Sequence, residues 1–194
     1  MESPQAIPAP MPSAAQPREL SRLAALLRYE ILDTPEESAF DDFTALAAQM
    51  CDTPIALISL VDDRRQWFKS RVGLDVSETP RDISFCTYTI TGEQIFEVPD
   101  ALQDPRFRDN PLVQGDPHIR FYAGTPLTSP DGHNLGTLCV IDRKPRRLSS
   151  EQRETLERLG RQVIRLFEQQ WNLAVPVGED AAELDEAEAE PPEV

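Results

Sequence analysis

Histidine, cysteine and glycine are scarce in this chain of 194 residues, which contains two, three and eight of them respectively. Cys51, Cys86 and Cys139 are odd in number and form no C-x-x-C pair, so they do not make a disulfide framework. Such a set is typical of reduced thiols, and the sequence therefore predicts a cytoplasmic protein. The two histidines have no ligand spacing around them, which predicts no metal site.

Long apolar runs and the common catalytic motifs are also missing. No stretch of roughly 18 consecutive apolar residues occurs, and the N-terminus has neither the basic nor the apolar region of a signal peptide. The sequence contains no Walker loop, no G-x-G-x-x-G, no G-x-S-x-G and no H-E-x-x-H. We therefore expect no membrane segment and no enzymatic activity.

The chain is acidic, with 34 acidic residues against 19 basic ones and a net charge of −15. Eight of the acidic residues, and no basic one, lie between residues 179 and 194. An acidic surface repels phosphate backbones and anionic lipid, and the lysines and arginines form no dense run. The composition thus disfavours nucleic-acid and membrane partners.

Composition also divides the chain into three parts. Residues 1–17 contain five prolines and predict a flexible leader, because such a segment buries too little apolar area to offset the entropy of ordering. Residues 173–194 predict a disordered acidic tail. Residues 18–172 are predicted to form one folded domain.

Hydrophobic periodicity predicts helices at both ends of this domain and strands between them. The first helix is expected to end near Tyr29, the second to begin at the capping sequence of residues 34–37, and a long final helix to follow Ser149. Strands are predicted at residues 55–61, 66–72, 95–98, 119–127 and 135–141. Because the helices do not alternate with the strands, the pattern indicates an α+β fold with an antiparallel sheet.

Two segments carry the residue types of a binding pocket. Residues 83–90 combine apolar side chains with four hydroxyls and a thiol, and residues 98–111 combine charges, prolines and an aromatic ring. Ordinary core packing explains the first segment equally well, and a surface loop closed by Asp–Arg pairs explains the second. The predicted ligand-binding residues are Arg71, Phe85, Cys86, Tyr88, Asp100, Arg106, Phe107, His118 and Tyr122.

Six segments follow one another in the order and spacing of a known family. They are ILDTPEESAFDD, PIALISLVDDRRQWFKSRVGL, ETPRDISFCTYTI, VPDALQDPRFRDNPLV, IRFYAGTPL and GTLCVID. These segments resemble the GAF domains that precede histidine-kinase or diguanylate-cyclase modules in bacterial signalling proteins, and that also stand alone. The resemblance spans residues 18–172. It implies a GAF (PAS-like) fold, in which a six-stranded antiparallel sheet has helices on both sides and a cavity between the sheet and its connections.

The resemblance leaves the ligand and any cofactor unknown, because GAF domains bind cyclic nucleotides, bilins, haem, small metabolites or nothing detected. The asparagine-lysine-phenylalanine-aspartate-glutamate signature of cyclic-nucleotide GAF domains is missing here. The Cys-His pair of bilin-attaching ones is missing too. Both ligands are therefore disfavoured.

The favoured function is a non-catalytic sensory or regulatory domain that binds a small molecule or relays a signal to a partner in trans. A homodimer through the first and last helices is expected, because the apolar set of the final helix is too wide for one sheet. That set is Leu156, Leu159, Val163, Ile164, Leu166, Phe167 and Trp171.

Two alternatives stay open. The first is the GAF-fold enzyme free methionine sulfoxide reductase, and the second is a dimerisation scaffold without ligand. The reductase is disfavoured because it needs an attacking thiolate beside a resolving thiol, whereas the three cysteines are expected to lie apart.

Overall fold

The structure is a computed structural model and describes residues 15–174. The predicted leader and tail lie outside these residues except for their inner ends, which are helical, and both stay predictions. The helices are α1 (Ala15–Arg28), α2 (Ser38–Cys51), α3 (Cys86–Thr89), α4 (Pro111–Gln114) and α5 (Ser150–Ala174). The strands are β1 (Ile55–Val61), β2 (Arg65–Val72), β3 (Glu78–Pro80), β4 (Phe96–Val98), β5 (Phe121–Thr128) and β6 (Asn134–Asp142).

The strands form one six-stranded sheet in the order β3-β2-β1-β6-β5-β4, and each neighbouring pair is antiparallel. β1 and β6 lie at the centre, and β5 and β6 form a hairpin whose turn contains Gly132 at a φ of 84°. A positive φ suits glycine because it has no Cβ. The predicted α+β fold, an antiparallel sheet of six strands with helices on both sides, is confirmed.

Successive residues of the strands enter two separate cores, as the two-residue period of a strand requires. Trp67 and Phe68 are neighbours on β2, and each is buried in a different core. The helices α1, α2 and α5 pack on the Trp67 side of the sheet. The short helices α3 and α4, with the loops around them, cover the Phe68 side. The second side is therefore the one on which loops and sheet enclose space.

The final helix does not need a second molecule to bury its apolar residues. Leu156, Leu159, Val163, Ile164 and Phe167 are all buried within the chain, and Leu166 and Trp171 are partly buried. Phe167 packs against Phe40 of α2 and Tyr29 beyond α1, at ring-centroid distances of 5.1 and 6.4 Å. The set is shared between the sheet and the two other helices on the same side, so the apolar width of the final helix does not by itself require a dimer.

The second helix begins three residues later than its capping sequence predicts. Its N-cap is Glu37, which makes no side-chain capping bond. The buried Lys69 of β2 donates from Nζ to Thr34 Oγ1, to the Pro35 carbonyl and to Glu37 Oε1, at 2.8, 2.8 and 2.5 Å. These hydrogen bonds hold residues 34–37 in a loop, although their capping sequence favours the start of a helix. Within residues 15–174, no helix combines the length and apolarity needed to cross a bilayer.

Candidate ligand-binding site

A cavity of about 260 Å³ lies on the Phe68 side of the sheet. Its floor consists of apolar side chains from the central strands, including Leu57, Phe68 and Ile141. Its walls come from residues 73–79 and from the segment that contains α4. The complete lining is Ile55, Leu57, Gln66, Phe68, Gly73, Leu74, Asp75, Val76, Thr79, Phe85, Cys86, Leu112, Asp116, Pro117, Ile119, Tyr122, Ile141 and Arg143.

Gln66 supplies a buried amide in the cavity wall. Its Oε1 accepts hydrogen bonds from Ser84 Oγ at 2.6 Å and Ser59 Oγ at 3.4 Å, and its Nε2 donates to Thr79 Oγ1 at 2.6 Å. The amide thus joins β2 to β3 and to the segment before α3. A buried amide keeps its place only when its donors and acceptors are satisfied, so this network fixes the wall.

Charged groups line the cavity mouth. Asp75, Asp116 and Arg143 are exposed, and none of the three joins a salt bridge within residues 15–174. Arg143 donates from Nε to the Pro117 carbonyl at 3.0 Å, which orients its guanidinium beside the opening. The mouth therefore offers one cation and two carboxylates above an apolar floor.

Three of the predicted site residues line this cavity: Phe85, Cys86 and Tyr122. A fourth, Phe107, lies behind the wall, where its ring stacks on Phe85 with centroids 4.1 Å apart. Phe85 and Tyr122 are tilted against each other at 5.3 Å. Phe85, Phe107 and Tyr122, three of the four predicted Phe and Tyr residues, thus lie at or directly behind the cavity wall.

The remaining predicted residues lie elsewhere. Arg71 pairs with Glu36 at 3.0 Å, and Asp100 pairs with Arg120 at 2.8 Å. The Arg120 guanidinium holds the pKa of Asp100 below its ordinary value.

Arg106, Tyr88 and His118 also lie outside the cavity. Arg106 pairs with Asp104 and covers the ring of Phe107, with its Cζ 5.4 Å from the ring centroid. Tyr88 is 43% exposed and His118 is exposed. The two charged residues predicted in the 98–111 loop, Asp100 and Arg106, are paired with Arg120 and Asp104 and do not line the cavity.

Sequence reasoning missed Gln66 and the mouth charges. The alternation of β2 contained a signal for Gln66, because it shares a face with Phe68 two residues later. Asp75, Asp116 and Arg143 lie in loops, where no periodicity indicates direction. Leu112 and Ile119 lie around α4, a short helix that the sequence analysis did not predict.

The thiols are not as widely separated as the sequence suggested. Cys86 and Cys139 are both buried, and their Sγ atoms lie 4.0 Å apart. Cys51 is buried in the other core, where burial raises its thiol pKa to about 11. The expectation that all three cysteines lie apart is therefore wrong for one pair.

Hydrogen bonds distinguish the two neighbouring thiols. Burial opposes ionisation of Cys86, but hydrogen bonds from Cys139, Thr137 and Tyr122 outweigh it and lower the pKa of Cys86 below its ordinary value. The bond to Cys86, together with burial, raises the pKa of Cys139. Burial and the Cys86 charge raise the pKa of Tyr122.

Two further properties of the described residues limit the chemistry. Within 15–174, no group of three or more His, Cys, Asp or Glu side chains is arranged to hold a metal ion. A larger groove of about 530 Å³ runs between β5 and α5, but exposed charged residues such as Arg161 and Arg165 form much of its wall. The smaller cavity combines apolar burial with fixed polar groups, as small-molecule sites do.

The GAF domain family model matches residues 35–165. The chain belongs to the GAF domain family. A cyclic di-GMP phosphodiesterase of Pseudomonas aeruginosa is 54% identical to this chain over 128 residues. The match covers 66% of this chain but only 22% of the phosphodiesterase, so the chain spans about a fifth of that relative.

Solved structures agree on the fold. A GAF domain of a phosphoenolpyruvate-protein phosphotransferase from Coxiella burnetii has a TM-score of 0.60 at 14% identity, covering 81% of this chain and 98% of its own. Free methionine-R-sulfoxide reductase from Neisseria meningitidis, with its substrate, has a TM-score of 0.58 at 16% identity, covering 86% and 96%. Identities this low show a shared fold and carry no argument for reductase activity here.

The phosphodiesterase relative contradicts one sequence-based prediction. The absence of familiar catalytic motifs led to the expectation that this protein is not an enzyme. That prediction is wrong as stated, because a 128-residue segment that is 54% identical to this chain belongs to a named enzyme. Motif absence was an unsafe basis, since a domain can belong to an enzyme without containing its reacting groups.

Proposed function

We propose that this GAF domain binds a small molecule in the 260 Å³ cavity and thereby regulates cyclic di-GMP hydrolysis by a phosphodiesterase. The main support for the proposal is an apolar floor beneath a mouth with three charged side chains that join no salt bridge within residues 15–174. They are Asp75, Asp116 and Arg143. The phosphodiesterase part is supported by the 54% identical relative.

The shape and charge of the cavity favour a small zwitterion with an apolar side chain. Arg143 can bind a carboxylate through its two terminal nitrogens, and Asp75 or Asp116 can accept hydrogen bonds from an ammonium group. The volume of about 260 Å³ lies just below the roughly 300–1,000 Å³ of typical ligand pockets. A cyclic dinucleotide is too large for it, so the ligand differs from the substrate of the phosphodiesterase.

Binding is expected to act through the cavity walls. The wall segments 73–79 and 112–119 are joined to the sheet by few strand bonds, whereas the floor belongs to β1, β2 and β6. A ligand that fills the cavity would order these walls against the rigid floor. A signalling partner, in the same or another chain, would then recognise the ordered surface.

Binding can be tested by isothermal titration of the full chain with free leucine, isoleucine, methionine and phenylalanine. We expect at least one to bind, Leu112→Trp to abolish the heat of binding by filling the cavity, and Leu102→Trp to leave it unchanged. Leu102 is 37% exposed and does not line the cavity, so it is a matched control. Binding that survives Leu112→Trp would contradict the proposed site.

Regulation can be tested in the Pseudomonas relative by replacing its matched segment with that of this chain. We expect the chimera to hydrolyse cyclic di-GMP at a rate that responds to the bound amino acid. The response should disappear in the Leu112→Trp chimera and persist with Leu102→Trp. If the rate of cyclic di-GMP hydrolysis does not respond to the amino acid in any of the three proteins, the regulatory part of the proposal is wrong. The ligand-binding part is then judged from the titration alone.

We also propose a homodimer, because α1 carries an apolar stripe that the described chain does not cover. Leu20 and Leu27 are 68% and 64% exposed, Ala24 is exposed, and Leu23 is partly buried. This spacing places all four on one helix face, and the same stripe on a second copy would cover it symmetrically. Leu173, 79% exposed in the last turn of α5, extends the proposal to the final helix.

We propose a cytoplasmic location from the state of the cysteines. All three are free thiols in the structure, including two with sulfurs only 4.0 Å apart. Thiols persist in reducing compartments. Fractionation of cells that express the full chain, followed by immunoblotting, tests this location.

A further inference from the structure

Cys86 and Cys139 form a buried pair of thiols next to the cavity. Cys86 is the first residue of α3, Cys139 lies in β6, and their Sγ atoms are 4.0 Å apart although 53 residues separate them in sequence. A disulfide joins two sulfurs at about 2.05 Å. The two atoms must therefore approach by about 2 Å to form a covalent bond.

The local structure allows that approach from one side. Cys139 is held in the central strand β6, where it pairs with Leu57 of β1 and Gly124 of β5. Cys86 belongs to a helix of only four residues. Closure would therefore move α3 towards the sheet and leave the strands in place.

Hydroxyl groups prepare Cys86 to be the attacking sulfur. Thr137 Oγ1 donates to Cys86 Sγ at 3.0 Å and the Tyr122 hydroxyl donates at 3.5 Å. Gly124 makes room for this tyrosine, since a Cβ there would lie 2.4 Å from the Tyr122 hydroxyl. Donors aimed at a sulfur favour its thiolate form. The opposite pKa shifts of the two thiols agree with Cys86 as the thiolate and Cys139 as the thiol.

Access from the cavity also favours Cys86 as the sulfur that reacts first. Cys86 lines the cavity, whereas Cys139 lies beneath it and does not belong to the lining. Cys51, the third thiol, is in the core on the opposite side of the sheet. A small solute that enters the cavity therefore meets Cys86 first.

We propose that Cys86 and Cys139 are a redox-active dithiol, which a small hydroperoxide entering through the cavity converts to an intramolecular disulfide. The Cys86 thiolate attacks one peroxide oxygen, the O–O bond breaks, and the departing oxygen takes a proton to leave as water or an alcohol. The Cys139 sulfur then attacks the sulfenic acid on Cys86, the S–O bond breaks, and the thiol proton leaves with the hydroxide as water. Two thiols lose two electrons and the peroxide gains them.

The disulfide would change the cavity itself. Closure would change the hydrogen bonds that Cys86 accepts from Thr137 and Tyr122, and it would move the start of α3, whose first residue, Cys86, lines the cavity. Thr89, at the end of the same helix, is hydrogen-bonded to the Tyr122 hydroxyl at 2.7 Å, so the shift would reach that contact too. This oxidation goes beyond the proposed ligand binding and does not depend on it.

Peptide mapping of the full chain tests the proposal. The protein is reduced with dithiothreitol, desalted without oxygen, treated with hydrogen peroxide, and alkylated with N-ethylmaleimide in denaturant. We expect two of the three thiols to escape alkylation, the mass measured before alkylation to fall by two hydrogen atoms, and a non-reduced digest to contain a peptide that joins Cys86 to Cys139. Dithiothreitol added before alkylation should restore all three thiols.

Single variants separate the two steps. Cys139→Ser should stop the reaction at a sulfenic acid on Cys86, which dimedone traps, whereas Cys51→Ser should form the disulfide as the parent protein does. Three thiols that persist under peroxide, or a disulfide that uses Cys51, would overturn the proposal. The peptide map of the parent protein decides the question even if a variant fails to fold. Loss of amino-acid binding alone would affect only the proposed ligand site.

Discussion

The ammonium group of Lys69 lies 2.5 Å from the carboxylate of Glu37, although the Lys69 side chain is completely buried and that of Glu37 is 38% exposed. The same ammonium donates to Thr34 and to the Pro35 carbonyl, and it lies 5.1 Å from the centroid of the Phe40 ring. A buried ammonium is stable only when its charge and its three protons are compensated. Lys69 therefore fixes the approach to α2 against β2.

Replacing Lys69 by Met should destabilise the domain by about 1–3 kcal/mol, because three partly exposed acceptors lose the donor that they share. The loss should remain below the roughly 3–5 kcal/mol of a fully buried broken pair, since water can reach Glu37. Lys144→Met is the matched control at an exposed lysine and should stay within about 0.5 kcal/mol. Urea denaturation measures both. Equal midpoints for Lys69→Met and the parent protein would contradict the role given to Lys69.

The Glu37–Lys69 pair should also weaken in acid. The hydrogen bond from Lys69 lowers the pKa of Glu37 below its ordinary value of 4.5. A carboxyl whose pKa is lower in the folded state stabilises the fold above pH 4.5 and loses that contribution as pH falls through the folded pKa. Glu37→Gln should therefore be less stable than the parent protein at pH 7, with a difference that shrinks below pH 4.5.

Urea midpoints at a series of pH values measure this dependence. Glu36→Gln is the control, because Glu36 forms a more exposed pair with Arg71. Parallel curves for Glu37→Gln and the parent protein from neutral to acid pH would show that the pair contributes nothing to acid sensitivity.

Features set by neighbouring residues were predictable from the sequence. Ser149 and Gln152 form the expected capping box, with Gln152 N donating to Ser149 Oγ at 3.1 Å and Ser149 N donating to Gln152 Oε1 at 3.0 Å. Five of the six strands were predicted from short apolar runs and the turn signals that bound them, whereas β3 was not predicted. The three long helices were also predicted from their periodicity, whereas the short helices α3 and α4 were not.

Features set by distant residues were missed for one common reason. The start of α2 depends on Lys69, whose contacts lie 32 to 35 residues away in sequence. The Cys86–Cys139 pair joins positions 53 residues apart. The cavity mouth combines loops from three parts of the chain. Each depends on how segments that are distant in sequence pack together, which local periodicity does not determine.

Gly136 allows the paired strands β6 and β1 to lie close together. A Cβ at this position would lie 1.9 Å from the carbonyl oxygen of Ser59 and 2.8 Å from the Cα of Leu60. Gly136→Ala should therefore destabilise the domain by about 3 kcal/mol, because backbone of two central strands must separate. Gly92→Ala is the control, since its nearest contact would be 3.8 Å from the new carbon. Thermal unfolding compares them, and similar melting temperatures would contradict this account.

The homodimer proposal makes a prediction about the α1 stripe. Leu20→Glu and Leu27→Glu place charges on its two most exposed leucines, at 68% and 64% exposure, and should convert a dimer to a monomer. Leu102→Glu is the control, because Leu102 lies outside α1. Light scattering of the full chain at micromolar concentration should give twice 21.8 kDa for the parent protein and the control, but 21.8 kDa for the stripe variants.

Charges on α1 test the dimer without disturbing the core of the monomer, whereas a charge on the apolar face of the final helix would disturb it. Phe167 is 1% exposed and packs against Phe40, so a charge there would unfold the monomer and dissociate a dimer for the wrong reason. Leu20 and Leu27 bury little within the chain, and their replacement should leave the circular dichroism spectrum and the melting temperature of the monomer unchanged. A parent protein of 21.8 kDa across the concentration range would remove the dimer, whereas a dimer that survives both stripe variants would move the interface to another surface.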